Sequence, residues 1–139
     1  PVVDWRDALM RSANKADLAK QLLLMMQDSV KDELVDLQKA WDDRDREQLA
    51  QIAHRILGAS RYSGVPQIRQ ASQDLEDKCL LNVQHTTPAQ FSMIEEYYTV
   101  LVSSLKVLQA LDLDAYITKQ MQDSEEKTLS ENDMTWKMI

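Results

Sequence analysis

The chain has two imidazoles, His54 and His85, in unlike settings. An exposed imidazole is mostly neutral near pH 7, because its ordinary pKa is about 6.5. It can then ligate a metal, move a proton or take up a phosphoryl group. His85 lies in the polar stretch Asn82-Val83-Gln84-His85-Thr86, with no cysteine or carboxylate at ligand spacing, and reads as an ordinary loop residue. His54 is followed by Gly58 and Arg61. At roughly 100° per helical residue, these three share one side of a helix, and Leu49, Ile52, Ile56 and Ser60 share the other. Glycine in mid-helix costs about 1 kcal/mol relative to alanine. A side chain four residues on covers the patch beside residue i, so Gly58 clears space beside His54 for a large partner. Arg55 is adjacent but turned by about 100°, and guanidinium groups suit phosphoryl oxygens. Gln51, Arg55, Leu57, Gly58, Arg61 and Tyr62 are the candidate docking contacts, with Arg61 and Leu57 flanking His54 most closely. Taken alone, these residues fit either a phosphoryl acceptor or a merely solvated face with a glycine for close packing.

The elements that must hold this face are helical. Two glycines and three prolines in 139 residues leave few breakers, and good helix formers dominate. A short first helix opens after Asp4, a plausible N-cap, with Trp5, Ala8, Leu9 and Ser12 on one face. The second runs from about Lys15 to Trp41 with Asn14 as its cap, and an inner stripe of Leu18, Leu22, Met25, Met26, Val30, Leu34, Leu37 and Trp41. Asp45 and Gln48 form a capping-box-like pair opening the third, whose stripe is Leu49, Ile52, Ala53, Ile56, Ala59, Ser60 and Ser63 before the stop signal Gly64. The fourth begins near Val65-Pro66 and turns Ile68, Ala71, Ser72, Leu75 and Cys79 to one side. Thr87-Pro88 announces the fifth, where Phe91, Ile94, Tyr98, Leu101, Leu105 and Leu108 make a bundle seam.

The fold class expected is all-α: an antiparallel four-helix bundle over residues 1–112, capped by the short first helix. Residues 113–139 are expected to form a helix extension or a frayed acidic tail. The net charge of -7 argues against nucleic acid and against a basic membrane-binding face. Cys79 is the one cysteine and allows no internal disulfide, which suits a reducing compartment. No apolar run reaches the roughly 18 residues that span a bilayer. The chain opens on Pro1 rather than methionine, so a larger, membrane-anchored parent stays open. A metal-dependent bundle enzyme would need Glu three residues before a histidine, where Gln51 and Asn82 stand instead. The sequence has no P-loop and no Gly-rich nucleotide loop, so activity with ATP alone is not expected.

The run Ala53-His54-Arg55-Ile56-Leu57-Gly58-Ala59-Ser60, then Tyr62-Ser63-Gly64-Val65-Pro66 and Leu75-Glu76, resembles the signature of histidine-containing phosphotransfer (HPt) domains. It is most similar to the C-terminal HPt module of GacS/BarA-type hybrid sensor kinases, as are Val3-Asp4-Trp5 at the start. The resemblance covers about residues 3–112. It implies that His54 accepts a phosphoryl group through Nε2, that Gly58 leaves room for a receiver domain, and that Glu76 reaches Nδ1 and orients the ring. It implies no cofactor on this chain, with Mg²⁺ on the partner receiver. Partners would be the receiver domains of a hybrid kinase and of a response regulator, met by a cytoplasmic monomer. Many members carry lysine where this chain has Leu57, a departure that leaves Arg55 and Arg61 as substitutes for its charge or Leu57 as part of an apolar rim. The competing reading is a non-catalytic helical receiver-docking or interaction module, with His54 incidental.

Overall fold

The computed structural model describes residues 1–81 and 88–124. Its helices are α1 (Trp5–Arg11), α2 (Ala16–Asp42), α3 (Arg46–Ser60), α4 (Pro66–Leu80) and α5 (Pro88–Ala110). A further helix, α6, covers residues 113–124. The four long helices α2 to α5 form the all-α bundle, with α1 packed across one end. His85, the Thr87 cap and residues 125–139 lie outside the described residues.

Local chemistry explains most of the boundaries. Asp4 caps α1 by accepting from the Asp7 amide, and Asp45 caps α3 by accepting from the Gln48 amide at 3.0 Å. Pro66 opens α4 at its first turn. Asn14 does not cap α2. It stands in a left-handed turn with φ of 62°, beside Ala13 at 53°, and Lys15 takes the cap position without a side-chain bond.

The buried stripe of α2 is Ala19, Leu23, Met26, Val30, Leu37 and Ala40. Leu18 and Met25 are exposed, so the expected stripe is turned by about one residue. A helix apolar on several sides has no phase of its own, and packing against its neighbours selects one. On α3, Ala59 is exposed rather than inward, while Ser60 and Ser63 are buried and bond back to Leu57 and Ala59 carbonyls. The five expected inner residues of α4 and the six of α5 are all buried. Trp41 stacks on Tyr98 with ring centres 4.6 Å apart, locking α2 to α5.

Past Asp112 the packed region continues. Leu113 and Ile117 of α6 belong to the core. The Tyr116 hydroxyl accepts from the Trp5 amide at 3.2 Å and donates to the Val3 carbonyl at 3.3 Å.

Gly64 fixes the turn between α3 and α4. Its φ of 67° lies in the left-handed region, and a Cβ there would press on Ala8 of α1, 2.8 Å from its Cα. The Gly64 carbonyl accepts from the Asp4 amide at 3.0 Å. Absence of a side chain is thus what allows α1 to lie on the α3–α4 corner.

Candidate functional site

His54 projects from the middle of α3, with its side chain 70% exposed. The buried residues Leu49, Ile52, Ala53 and Ile56 anchor the opposite side of that helix, which forces the imidazole outward. Nδ1 stands 2.9 Å from Oε1 of Glu76, which comes from α4 and is only 15% exposed. A carboxylate only accepts hydrogen bonds, so the ring proton sits on Nδ1 and the Nε2 lone pair is left facing out. The second carboxylate oxygen, Oε2, is buried without a hydrogen-bond partner among the described residues. The bond to the ring is the side-chain hydrogen bond that Glu76 makes among the described residues.

Gly58 lies one turn beyond His54, and nothing stands within 4 Å of where its Cβ would be. The surface beside the imidazole is open there, as the sequence suggested. On the other side a cleft of about 560 Å³ lies between α3 and α4, lined by Glu47, Ala50, Gln51, His54, Glu76, Cys79 and Leu80. Arg46 ties the two helices that form its walls. That residue is buried, and its guanidinium donates to the Cys79 carbonyl at 3.0 Å and also to the Leu81 carbonyl, holding the last turn of α4 against the first of α3. Burial pushes the Cys79 thiol up to about 11, although the charge of Arg46 pulls the other way.

The expected docking residues separate into two groups. Gln51, Gly58, Arg61 and Tyr62 remain on the accessible face, Arg61 at the C-cap of α3. Two others leave it. Leu57 is turned inward, 4% exposed, and offers no apolar rim. Arg55 is exposed but committed to α2: its guanidinium donates to Glu33 at 2.9 Å and to Asp36 at 3.0 Å. Burial raises the Glu33 carboxyl above its ordinary value even though Arg55 opposes this. The bond network thus draws Arg55 toward α2 and away from His54. Sequence reasoning missed Glu33, Asp36 and Arg46, and the cleft residues Glu47, Ala50, Cys79 and Leu80. Their only early sign was carboxylates at i and i+3 on α2, which says nothing of a partner on another helix.

Among the described residues there is no cluster of three His, Cys, Asp or Glu placed to hold a metal. No described helix is long and apolar enough to cross a membrane. A helical bundle with one outward histidine among the described residues, its Nδ1 occupied and its Nε2 unbonded, has the construction of a histidine phosphotransfer module. The chain belongs to the Hpt domain family, whose model matches residues 21–123.

The chain also aligns with a part of longer named proteins. Sensor protein GacS of Pseudomonas syringae pv. syringae is 38% identical over 88 residues, which are 63% of this chain and 10% of that protein. Signal transduction histidine-protein kinase BarA of Escherichia coli (strain K12) is 26% identical over 108 residues, 76% of this chain and 12% of that protein. The chain thus spans about a tenth of the length of the curated relatives it matches. A solved crystal structure, the HPT domain of a sensor hybrid histidine kinase from Shewanella, superposes with a TM-score of 0.55 at 25% identity, covering 80% of this chain and 97% of that one. By family and by alignment, the chain is homologous to the Hpt regions of these sensor kinases.

Proposed function

We propose that His54 takes a phosphoryl group from the aspartyl phosphate of a receiver domain and passes it to the aspartate of a response regulator. The observation that carries this reading is the 2.9 Å bond from His54 Nδ1 to Glu76, which leaves Nε2 as the outward nucleophile. In the step, the Nε2 lone pair attacks phosphorus, the bond from phosphorus to the aspartate oxygen breaks, and the aspartate leaves as a free carboxylate. The ring gains positive charge, and Glu76 stabilises that charge through Nδ1–H. The return transfer runs the same atoms backwards.

Positioning and charge neutralisation account for most of such a transfer. The domain brings no cofactor; Mg²⁺ belongs to the receiver's acidic site. The receiver settles over the open ground at Gly58, with Gln51 and Tyr62 at its edges. A relay partner must leave quickly, which favours an interface at the small end of the usual range. The domain works as a cytoplasmic monomer, as one part of a sensor kinase, without contact to nucleic acid or membrane. Its acidic net charge of -7 supports the last point.

Incubation with a phosphorylated receiver tests this directly. The protein is expected to gain acid-labile, base-stable label, and His54→Gln to abolish it with helicity intact. Label on the glutamine variant would remove His54 as acceptor. Binding of the receiver without any label would leave a docking module instead.

A further inference from the structure

We infer that Arg61 is the residue with which this chain neutralises the phosphoryl group, reaching it across the gap at Gly58. The inference rests on the phosphotransfer reading of His54. A phosphoryl group arriving at Nε2 brings negative charge to a place already bordered by Glu47 and Glu76. Charge of that kind is stabilised by a cation able to approach its oxygens.

The helices that flank His54 offer few such cations. On α3, its C-cap and α4 the cationic residues are Arg46, Arg55, Arg61, Arg69 and Lys78. Arg46 is buried on the Cys79 and Leu81 carbonyls. Arg55 is held by Glu33 and Asp36. Arg69 binds Asp7 at 2.7 Å and the Ser60 carbonyl at 3.0 Å. Lys78 sits over the Tyr97 ring, 5.4 Å from its centre. The guanidinium of Arg61 is exposed and makes no hydrogen bond or ion pair with any described residue. Its backbone is firmly placed, because its amide donates to the Leu57 carbonyl and its carbonyl accepts from Arg11 at 2.9 Å.

Geometry supports the same residue. Seven residues separate His54 from Arg61, nearly two whole turns, so both stand on one face about 10 Å apart along the axis. Helical side chains lean toward the N-terminus, which aims the arginine stem at His54. The surface it must cross is Gly58, where no atom stands within 4 Å of the missing Cβ. The extended stem from one side and the phosphoryl group rising from Nε2 on the other close most of that gap. On this view Gly58 serves two purposes: it admits the receiver, and it leaves a lane for the guanidinium.

Transfer from a phosphorylated receiver, followed in single turnovers over a range of receiver concentrations, tests the assignment with Arg61→Ala, Arg61→Lys and Arg61→Glu. The alanine variant is expected to lose about tenfold in the rate at saturating receiver, the low end for a charge-assisted bond at a wet surface. Lysine should recover part of the loss and glutamate should deepen it. A saturating rate equal to wild type in Arg61→Ala overturns the assignment, as does a loss confined to half-saturation, which would make Arg61 a docking contact alone. Circular dichroism and the urea midpoint of each variant exclude a folding defect. Failure of wild type itself to take label would instead overturn the phosphotransfer reading.

Discussion

Glu76 of α4 holds Nδ1 of His54 on α3 at 2.9 Å, so the direction of the imidazole is set by a residue on the next helix rather than by its own. The carboxylate is mostly buried while the ring is mostly exposed. A buried group thus holds an exposed one, and the ring nitrogen that Glu76 does not bind is left for a partner.

That pairing gives the first prediction. Glu76→Ala should slow transfer about tenfold, in the range for losing a partner that orients a reactive imidazole. Glu76→Gln should keep much of the rate, because its amide oxygen still accepts from Nδ1–H. The nitrogen-15 shifts of His54 provide the second readout, with the Nδ1–H form losing its dominance in the alanine variant. Unchanged shifts and rate together would show that Glu76 does not orient the ring.

Gly58 predicts a trade between stability and transfer. Its missing Cβ meets nothing within 4 Å, so Gly58→Ala should stabilise the fold by about 0.5–1 kcal/mol through helix propensity. Gly58→Glu should block transfer, by filling the approach to His54 and adding like charge. Urea midpoints and transfer rates check both, and a glutamate variant with the wild-type rate would remove the steric argument.

Asp7 predicts how the fold responds to acid. It binds Arg69 at 2.7 Å and Arg11 at 3.2 Å. Burial alone raises its carboxyl, but the bonds from the two arginines outweigh that and hold it below the ordinary 3.8. A folded value below the unfolded one means stabilisation that is present above pH 3.8 and lost as pH falls through the folded value. Asp7→Asn should therefore lower stability by about 1–2 kcal/mol at neutral pH, with a smaller difference from wild type at an acidic pH below 3.8. An equal difference at both pH values would mean that the charge of Asp7 plays no part.

Gly64 predicts a larger loss. Alanine there meets both a left-handed backbone and the backbone of Ala8. The expected cost is about 2–4 kcal/mol, combining strain with overpacking. Protection of the α1 amides against hydrogen exchange should fall first, because the Asp4 bond to the Gly64 carbonyl is part of the same corner. A variant as stable as wild type would rule out the close approach.

The parts of this fold that were legible in the sequence are those in which one face of a helix decides everything. The seams of α4 and α5 fall out of simple spacing, and so does the outward turn of His54. The stripe of α2 did not, because the unbroken run Leu22-Leu23-Leu24-Met25-Met26 has no phase of its own and the neighbours choose one. Arg55 shows the same limit at the site. Its place beside His54 is local information, while its bonds to Glu33 and Asp36 depend on how α2 and α3 slide along each other. Leu57 sits at the edge of the apolar arc, where a small rotation separates rim from interior. The meeting of Glu76 with His54 spans 22 positions, and only the family resemblance, not spacing, pointed to it.

Two groups able to attack phosphorus border the same cleft, the imidazole of His54 and the thiol of Cys79. With its thiol pushed up to about 11, Cys79 stays protonated at neutral pH, and only 1% of its surface is exposed. Chemoselectivity at this cleft is therefore a matter of access: the sulfur that could compete for the phosphoryl group, or be caught by an oxidant, is sealed in the wall, while the imidazole on the same cleft is left exposed to react.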